Sequence, residues 1–321
     1  MCSPLSRPLR YGACRSSSSG RPQSFLQWPR GWAPGAFSEP LSEPRFRRCF
    51  ALQSEAAAVC NGLVKIYWTG TGEVHALKGI DAFFPRGSIT AVVGPSGSGK
   101  SSLLRIMAGL DRPTAGRIQV GGVDLAGLST GRLRKMRRKL VGYVFQRPSE
   151  NLIPYLNVME HLQVAAELRG RWKPKEANEL LEILGLGKRR NHLPQQLSGG
   201  EQQRAAFAQA VIGKPSIVVA DEPTAELDSH SGEALLETIA TLTRSGISFI
   251  VSTHDPSMVA AADRTMLIRH GALEAETHQS RLLSVIDQSG RIQLPPEILA
   301  LFPDRRAAIN VEDGSVRITP P

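Results

Sequence analysis

The sequence predicts an α/β domain built on a largely parallel core sheet, and three observations carry that prediction. Short apolar runs at 88–93, 216–220 and 247–252 have the length of buried strands. Segments with helical apolar spacing, at 101–110, 157–169 and 175–186, lie between them. A glycine-rich turn joins the first run directly to the first helix. Strands that alternate with helices in this way form sheets covered by helices.

The remaining elements follow in chain order. Residues 1–56 are rich in Ser, Pro, Gly and Arg and lack a sustained apolar period. So little apolar surface cannot offset the entropy of ordering, which predicts a disordered tail. The Arg- and Ser-rich, acid-poor composition also fits an organelle transit peptide, and an upstream start codon would add residues of this kind too. Regular structure is expected from 57 onward. Alternation through 59–68 and 74–84 predicts strands of a half-exposed sheet, ahead of the core. The α/β domain then runs over 57–280. The piece 284–320 changes character: strands at 284–287, 291–294, 307–311 and 315–319, and a short helix after Pro295-Pro296. A segment of this size buries little core by itself, so it is expected to pair with a second copy or pack on the larger domain.

Composition limits the function classes. An apolar fraction of 41% and a charged fraction of 21% are ordinary for a protein with a normal core. No stretch approaches the roughly 18 uninterrupted apolar residues that span a bilayer. A formal charge of +10 raises the question of nucleic acid. Half of that excess sits in 1–56, where eight arginines face Glu39, Glu43 and Glu55. Elsewhere the densest cluster is Arg132, Arg134, Lys135, Arg137, Arg138 and Lys139, for which a solvated helix face is the simpler reading than a phosphate-binding one. No nucleic-acid partner is expected. Cys2, Cys14, Cys49 and Cys60 form no CxxC pair, so the pattern suggests neither a zinc site nor a disulfide framework.

The motif with the clearest chemistry is Gly94-Pro95-Ser96-Gly97-Ser98-Gly99-Lys100-Ser101, a GxxxxGK[ST] match between a predicted strand and a predicted helix, continued by Ser102. Its glycines let backbone N–H groups wrap a phosphate, and the following helix N-terminus adds partial positive charge. Lys100 would reach the β- and γ-phosphates of ATP, and the Ser101 hydroxyl would ligate Mg²⁺. This is a nucleotide site.

Two further strings narrow the class: Leu197-Ser198-Gly199-Gly200-Glu201-Gln202-Gln203-Arg204, and Asp221-Glu222-Pro223-Thr224 at the end of an apolar strand. With them, residues 60–280 resemble the ABC ATPase family, whose fold joins a parallel core sheet, an antiparallel β subdomain and a helical subdomain. The resemblance implies roles residue by residue. Asp221 holds Mg²⁺ and Glu222 polarises the attacking water as general base. His254 contacts the γ-phosphate. Gln146, in Val144-Phe145-Gln146-Arg147, senses Mg²⁺ and the attacking water and couples to a transmembrane partner. Tyr67 stacks on adenine, with Trp68 as a substitute. Asp228 communicates across a dimer. Ser198, Gly199 and Gly200 bind the γ-phosphate held by the opposite subunit, so one chain with one P-loop and one signature implies a head-to-tail, ATP-dependent dimer. The stretch Ala205-Ala206-Phe207-Ala208-Gln209-Ala210 departs from the family's more usual arginine-bearing helix.

ABC ATPases that act on chromosomes carry a long insertion between P-loop and signature, whereas Gln146 and Leu197 are only 51 positions apart. Ribosome-associated members carry two ATPase domains, and this chain has one. A transporter motor at the cytoplasmic face of the membrane, driving a separate permease, is therefore expected. Val74-His75-Ala76-Leu77-Lys78-Gly79-Ile80, the basic helix before Val144 and Asn151-Leu152-Ile153-Pro154 are similar to the lipoprotein-release, macrolide-export and cell-division branch. A small-solute importer is the alternative within transporters, and an ABC ATPase acting on DNA is the more distant one. The segment at 284–320 resembles the AbrB-type swapped-hairpin module. Its four arginines are outnumbered by Asp287, Glu297, Asp304, Glu312 and Asp313, which favours dimerisation or regulation over DNA binding.

Overall fold

The computed structural model describes residues 55–278, apart from 71 and 226, together with 281–284, 302, 308–312 and 315–319. The expectations for the tail 1–54 and for the strand at 291–294 and its following helix lie outside the described residues. The described residues begin with two long strands, β1 (Ala56–Thr69) and β2 (Gly72–Pro85), followed by β3 (Ile89–Val93) and α1 (Lys100–Met107). Next come β4 (Ala115–Val120), β5 (Val123–Asp124), α2 (Thr130–Leu140) and β6 (Val141–Val144). Three helices follow, α3 (Val158–Leu168), α4 (Pro174–Ile183) and α5 (Gly199–Val211). Then β7 (Ile217–Asp221), α6 (Ser229–Arg244), β8 (Phe249–Ser252) and α7 (Pro256–Ala261) complete the α/β alternation. The chain closes with β9 (Arg264–Arg269), β10 (Ala272–His278), β11 (Arg281–Ser284), β12 (Ala308–Glu312) and β13 (Ser315–Thr319).

Three sheets form among the described residues. β2-β1-β4-β5 is antiparallel. The larger sheet has the order β11-β10-β9-β3-β8-β7-β6, with β9, β3, β8, β7 and β6 parallel and β10 and β11 added antiparallel at one edge. β12 and β13 form a separate hairpin in which Ile309 is in register with Ile318. β11 extends the large sheet by pairing with β10 over Arg281–Ser284, and of the strand expected at 284–287 only Ser284 lies among the described residues.

The apolar runs that read as buried strands are buried on both faces, because successive side chains point to opposite sides. Ile217 and Val219 of β7 pack with Ile250, Met266 and the α1 residues Leu103, Leu104 and Met107. Val218 and Ala220 face the other way, into a cluster with Phe207, Leu235 and Ile239. The first cluster also takes in Leu77, Ile80 and Phe84 of β2, so α1 is gripped between the two larger sheets. The second joins the sheet to α3, α4 and α5 through Leu162, Leu180, Leu181 and Phe207. Each such side chain contributes about 1.5–3 kcal/mol on burial. The two clusters fix the loop before α1 against β7 and β8, which is where the site lies.

Candidate nucleotide site

The loop from Gly94 to Gly99 closes tightly because its glycines remove the side chain where backbone must approach. Gly94 has φ 146° and Gly99 φ 108°. A Cβ on the first would strike the Ile268 carbonyl and one on the second the Ala76 carbonyl. Gly99 is the N-cap of α1, whose first turn holds Lys100, Ser101 and Ser102 and no acidic residue. That helix end therefore presents free N–H groups and partial positive charge to an anion. Lys100, only 7% exposed, curls back: Nζ donates to the Gly94 carbonyl at 2.7 Å and the Pro95 carbonyl at 3.2 Å, and lies 3.3 Å from His254 Nε2.

Opposite the loop, β7 ends in Asp221 and the chain turns at once. Glu222 adopts φ 47°, a left-handed conformation that costs a non-glycine residue on the order of 1–3 kcal/mol. Its N–H donates to the Ser252 carbonyl at 3.0 Å, anchoring the turn to β8. The Ser252 hydroxyl donates to Asp221 Oδ1. Glu222 then spans to the end of β8: Oε2 accepts from the His254 N–H at 3.2 Å, and Oε1 is 3.2 Å from His254 Nε2. A carboxylate, an imidazole and an ammonium thus converge at the mouth of a phosphate-sized loop.

These groups line one cleft of about 940 Å³, together with Tyr67, Ser96, Gly97, Ser98, Gly99, Ser101, Ser102, Gln146 and Asp228. Tyr67 is fixed there by its hydroxyl, which donates to Asp111 Oδ2 at 2.9 Å, and by Lys65 Nζ, 4.7 Å from its ring centroid. Burial pushes the Asp111 carboxyl up, but hydrogen bonds from Lys65 and Tyr67 outweigh it and hold the group below its ordinary value. Trp68, the alternative to Tyr67, does not line the cleft and is 78% exposed. Alternation along β1 turns it to the other side.

The signature residues Ser198, Gly199 and Gly200 are not among those lining this cleft. They start α5 instead. Ser198 Oγ accepts from the Glu201 N–H, and Glu201 Oε2 accepts from the Ser198 N–H at 2.9 Å, a reciprocal cap that lowers the Glu201 pKa, chiefly through the Ser198 backbone hydrogen bond. Gly200 is buried against α6, where an added Cβ would sit 2.8 Å from Ser231 Oγ. Asp228 caps α6 by accepting from the Ser231 N–H at 2.8 Å, which lowers its own pKa.

Three neighbours of the site are given no role in it by the sequence reading. Asp111 is 44 residues from Tyr67, too distant for any local pattern to join them. Ser252 could have been found from its place two residues before His254, at the end of a buried strand. Asn151 bridges the loop that carries Gln146, accepting from the Phe145 N–H at 2.8 Å and donating to the Tyr143 carbonyl at 2.9 Å.

Comparison with known proteins adds to this geometry. The family model described as ABC transporter matches residues 77–225. The "Lipoprotein-releasing system ATP-binding protein LolD" of Shewanella sp. (strain MR-7) is 41% identical over 215 residues, covering 66% of this chain and 92% of the relative. The "Uncharacterized ABC transporter ATP-binding protein YbbA" of Escherichia coli (strain K12) is 43% identical over 218 residues, covering 67% and 95%. Among solved structures, the dimeric bacterial ABC transporter cassette MJ0796 is similar with a TM-score of 0.64 at 34% identity, covering 70% of this chain and 99% of that one. A dimeric post-hydrolysis state of the same cassette, bound to ADP and Pi, matches equally well.

Proposed function

The chain belongs to the ABC transporter ATP-binding family and is an ABC-type ATPase, and from that premise we propose that it works as a head-to-tail dimer that drives a separate membrane permease. The observation that carries the reading is the convergence of Lys100, Glu222 and His254 on one cleft while the signature of the same chain faces elsewhere. The solved relative MJ0796 is dimeric. In the proposed dimer, the free N–H groups at the start of α5 would meet the γ-phosphate held by the partner's P-loop.

The chemistry then assigns itself to residues of the cleft. Backbone N–H groups of 94–99 and the start of α1 hold the β- and γ-phosphates, and Lys100 transfers its hydrogen bonds from the loop carbonyls to phosphate oxygens. Glu222 orients a water for in-line attack and takes its proton as the new P–O bond forms and the bond to the ADP oxygen breaks. His254 stabilises the charge that develops on the γ-phosphoryl oxygens. Ser101, Gln146 and Asp221 would hold Mg²⁺. Among the described residues no group of three or more His, Cys, Asp or Glu forms a metal cage. One carboxylate with a hydroxyl and an amide beside a phosphate site suits an ion that keeps few protein ligands. When bound, Mg²⁺ neutralises phosphate charge.

No helix among the described residues is long and apolar enough to cross a membrane. A groove of about 320 Å³ supports docking of the chain on the cytoplasmic face of a permease. Leu110, Tyr143, Phe145 and Leu168 line it beside Arg137 and Arg138, a surface complementary to an amphipathic acidic segment. The LolD relative favours the lipoprotein-release type over a small-solute importer. Purification from membranes tests this. Co-purification of a permease with a large extracytoplasmic domain, with ATPase stimulated in the complex, is expected; a solute-importer permease, or DNA in place of any permease, would contradict it.

For 284–320 we propose dimerisation or regulation of the AbrB-like kind. Among the described residues the β12–β13 hairpin pairs with no other strand, and a lone hairpin is marginal in water. Deleting 284–321 should weaken association measured without ATP, and unchanged mass would exclude that role.

A further inference from the structure

A second cavity of about 130 Å³ adjoins the nucleotide cleft, and its walls include Gln146, Ser149, Gly199, Gln203 and Leu227. It shares Gln146 and Leu227 with the cleft. Gln203, on α5 four residues after Gly199, is 1% exposed. Neither its Oε1 nor its Nε2 has a hydrogen-bond partner among the described residues. Its neighbour Gln202 shows the ordinary arrangement, donating Nε2 to the Pro194 carbonyl at 3.0 Å and the Leu197 carbonyl at 3.2 Å.

A buried amide with both ends unpaired is costly, and a methionine of similar size would fill the space without that cost. The partners of Gln203 must therefore come from the cavity. Its volume admits a few waters at roughly 30 Å³ each, and Ser149 and Gln146 supply further polar groups on its walls. We propose that Gln203 is a positioning residue: through water in this cavity, its amide links the signature helix α5 to the loop that carries Gln146. A shift of α5 when its N-terminus engages a partner's phosphate is then passed to Gln146 at the cleft, so the state of one site adjusts the geometry of the other. This link rests on the reading of Gln146 as a group that acts on the attacking water.

The test is a double-mutant cycle on the full chain, with ATP turnover and thermal unfolding both measured. Gln203→Met should leave the unfolding midpoint near the parent value, since packed apolar surface of similar size replaces the amide and the water it binds. It should leave KM for ATP unchanged and lower kcat about ten-fold. Combined with Gln146→Ala, it should add no further loss. A wild-type kcat in Gln203→Met overturns the proposal, as do losses that multiply in the double variant. A sharply lowered midpoint also overturns it, because the amide would then serve the fold alone. If Gln146→Ala by itself leaves kcat unchanged, the reading of Gln146 fails and the link fails with it, an outcome separable from the others.

Discussion

His161 is held between two backbone groups. Its Nε2 accepts from the Ile153 N–H at 2.7 Å, so that nitrogen carries no proton, and Nδ1 donates to the Asn157 carbonyl at 2.8 Å. Burial lowers its pKa below the ordinary 6.5, and the Asn157 carbonyl and Glu160 only partly offset this. The sign of the pH effect follows. Below the unfolded-state value the unfolded chain binds a proton that the folded chain resists, so stability falls as pH drops through 6.5 toward the lowered folded value. Urea midpoints at pH 7.5 and 5.5 should differ less in His161→Gln than in the parent chain, and an equal difference would remove His161 from the account. At this scale the sequence was legible where chemistry is contiguous. Lys100, Asp221 and Glu222 stand in strings that name themselves. Asp111 does not, because its partners Lys65 and Tyr67 lie 46 and 44 residues away, and the left-handed turn at Glu222 has no local glycine or asparagine to announce it.

Among the elements, α5 links the signature to the sheet and illustrates what the sequence could not show. Its start was readable from Ser198 and Glu201, a capping box with the required spacing. Its end depends on Arg169, forty residues earlier, at the C-cap of α3. The guanidinium donates to the Ile212 carbonyl at 2.8 Å, Ala210 at 3.0 Å, Gln209 at 3.2 Å and Val141 at 3.3 Å. The first three are carbonyls at the C-terminus of α5, where a cation also meets a favourable dipole, and Val141 begins β6. Desolvation, with the nearby Arg171 adding to it, lowers its pKa to about 10, so it stays charged at neutral pH. Arg169→Ala should destabilise the domain by about 2–4 kcal/mol, since several buried acceptors lose a charged donor at once. A loss below about 0.5 kcal/mol in a urea titration would show that water replaces the guanidinium. The strands at 59–68, 74–84, 88–93, 216–220 and 247–252 and the helices at 101–110, 157–169 and 175–186 were legible from apolar runs and spacing, whereas β4, β9, β10, α6 and α7 were not read, because pairing and packing rather than a local run define them.

For the molecule as a whole, the α/β class followed from alternating apolar runs, and the sheet order β9-β3-β8-β7-β6 places the ends of β3, β7 and β8 around one cleft. That topology is why Lys100, Asp221, Glu222 and His254 meet although they lie far apart along the chain. It also leaves Ser198, Gly199 and Gly200 outside the cleft they are proposed to complete. The account therefore stands on the two-chain sandwich. The measurement that tests it most directly is the solution mass of Glu222→Gln with and without ATP, a variant expected to lose the proposed general base and retain the nucleotide. A dimer with ATP and a monomer without it, together with turnover reduced at least a hundred-fold, is predicted. A variant that stays monomeric with ATP, alone and with its permease, or that hydrolyses ATP at the parent rate, would contradict it.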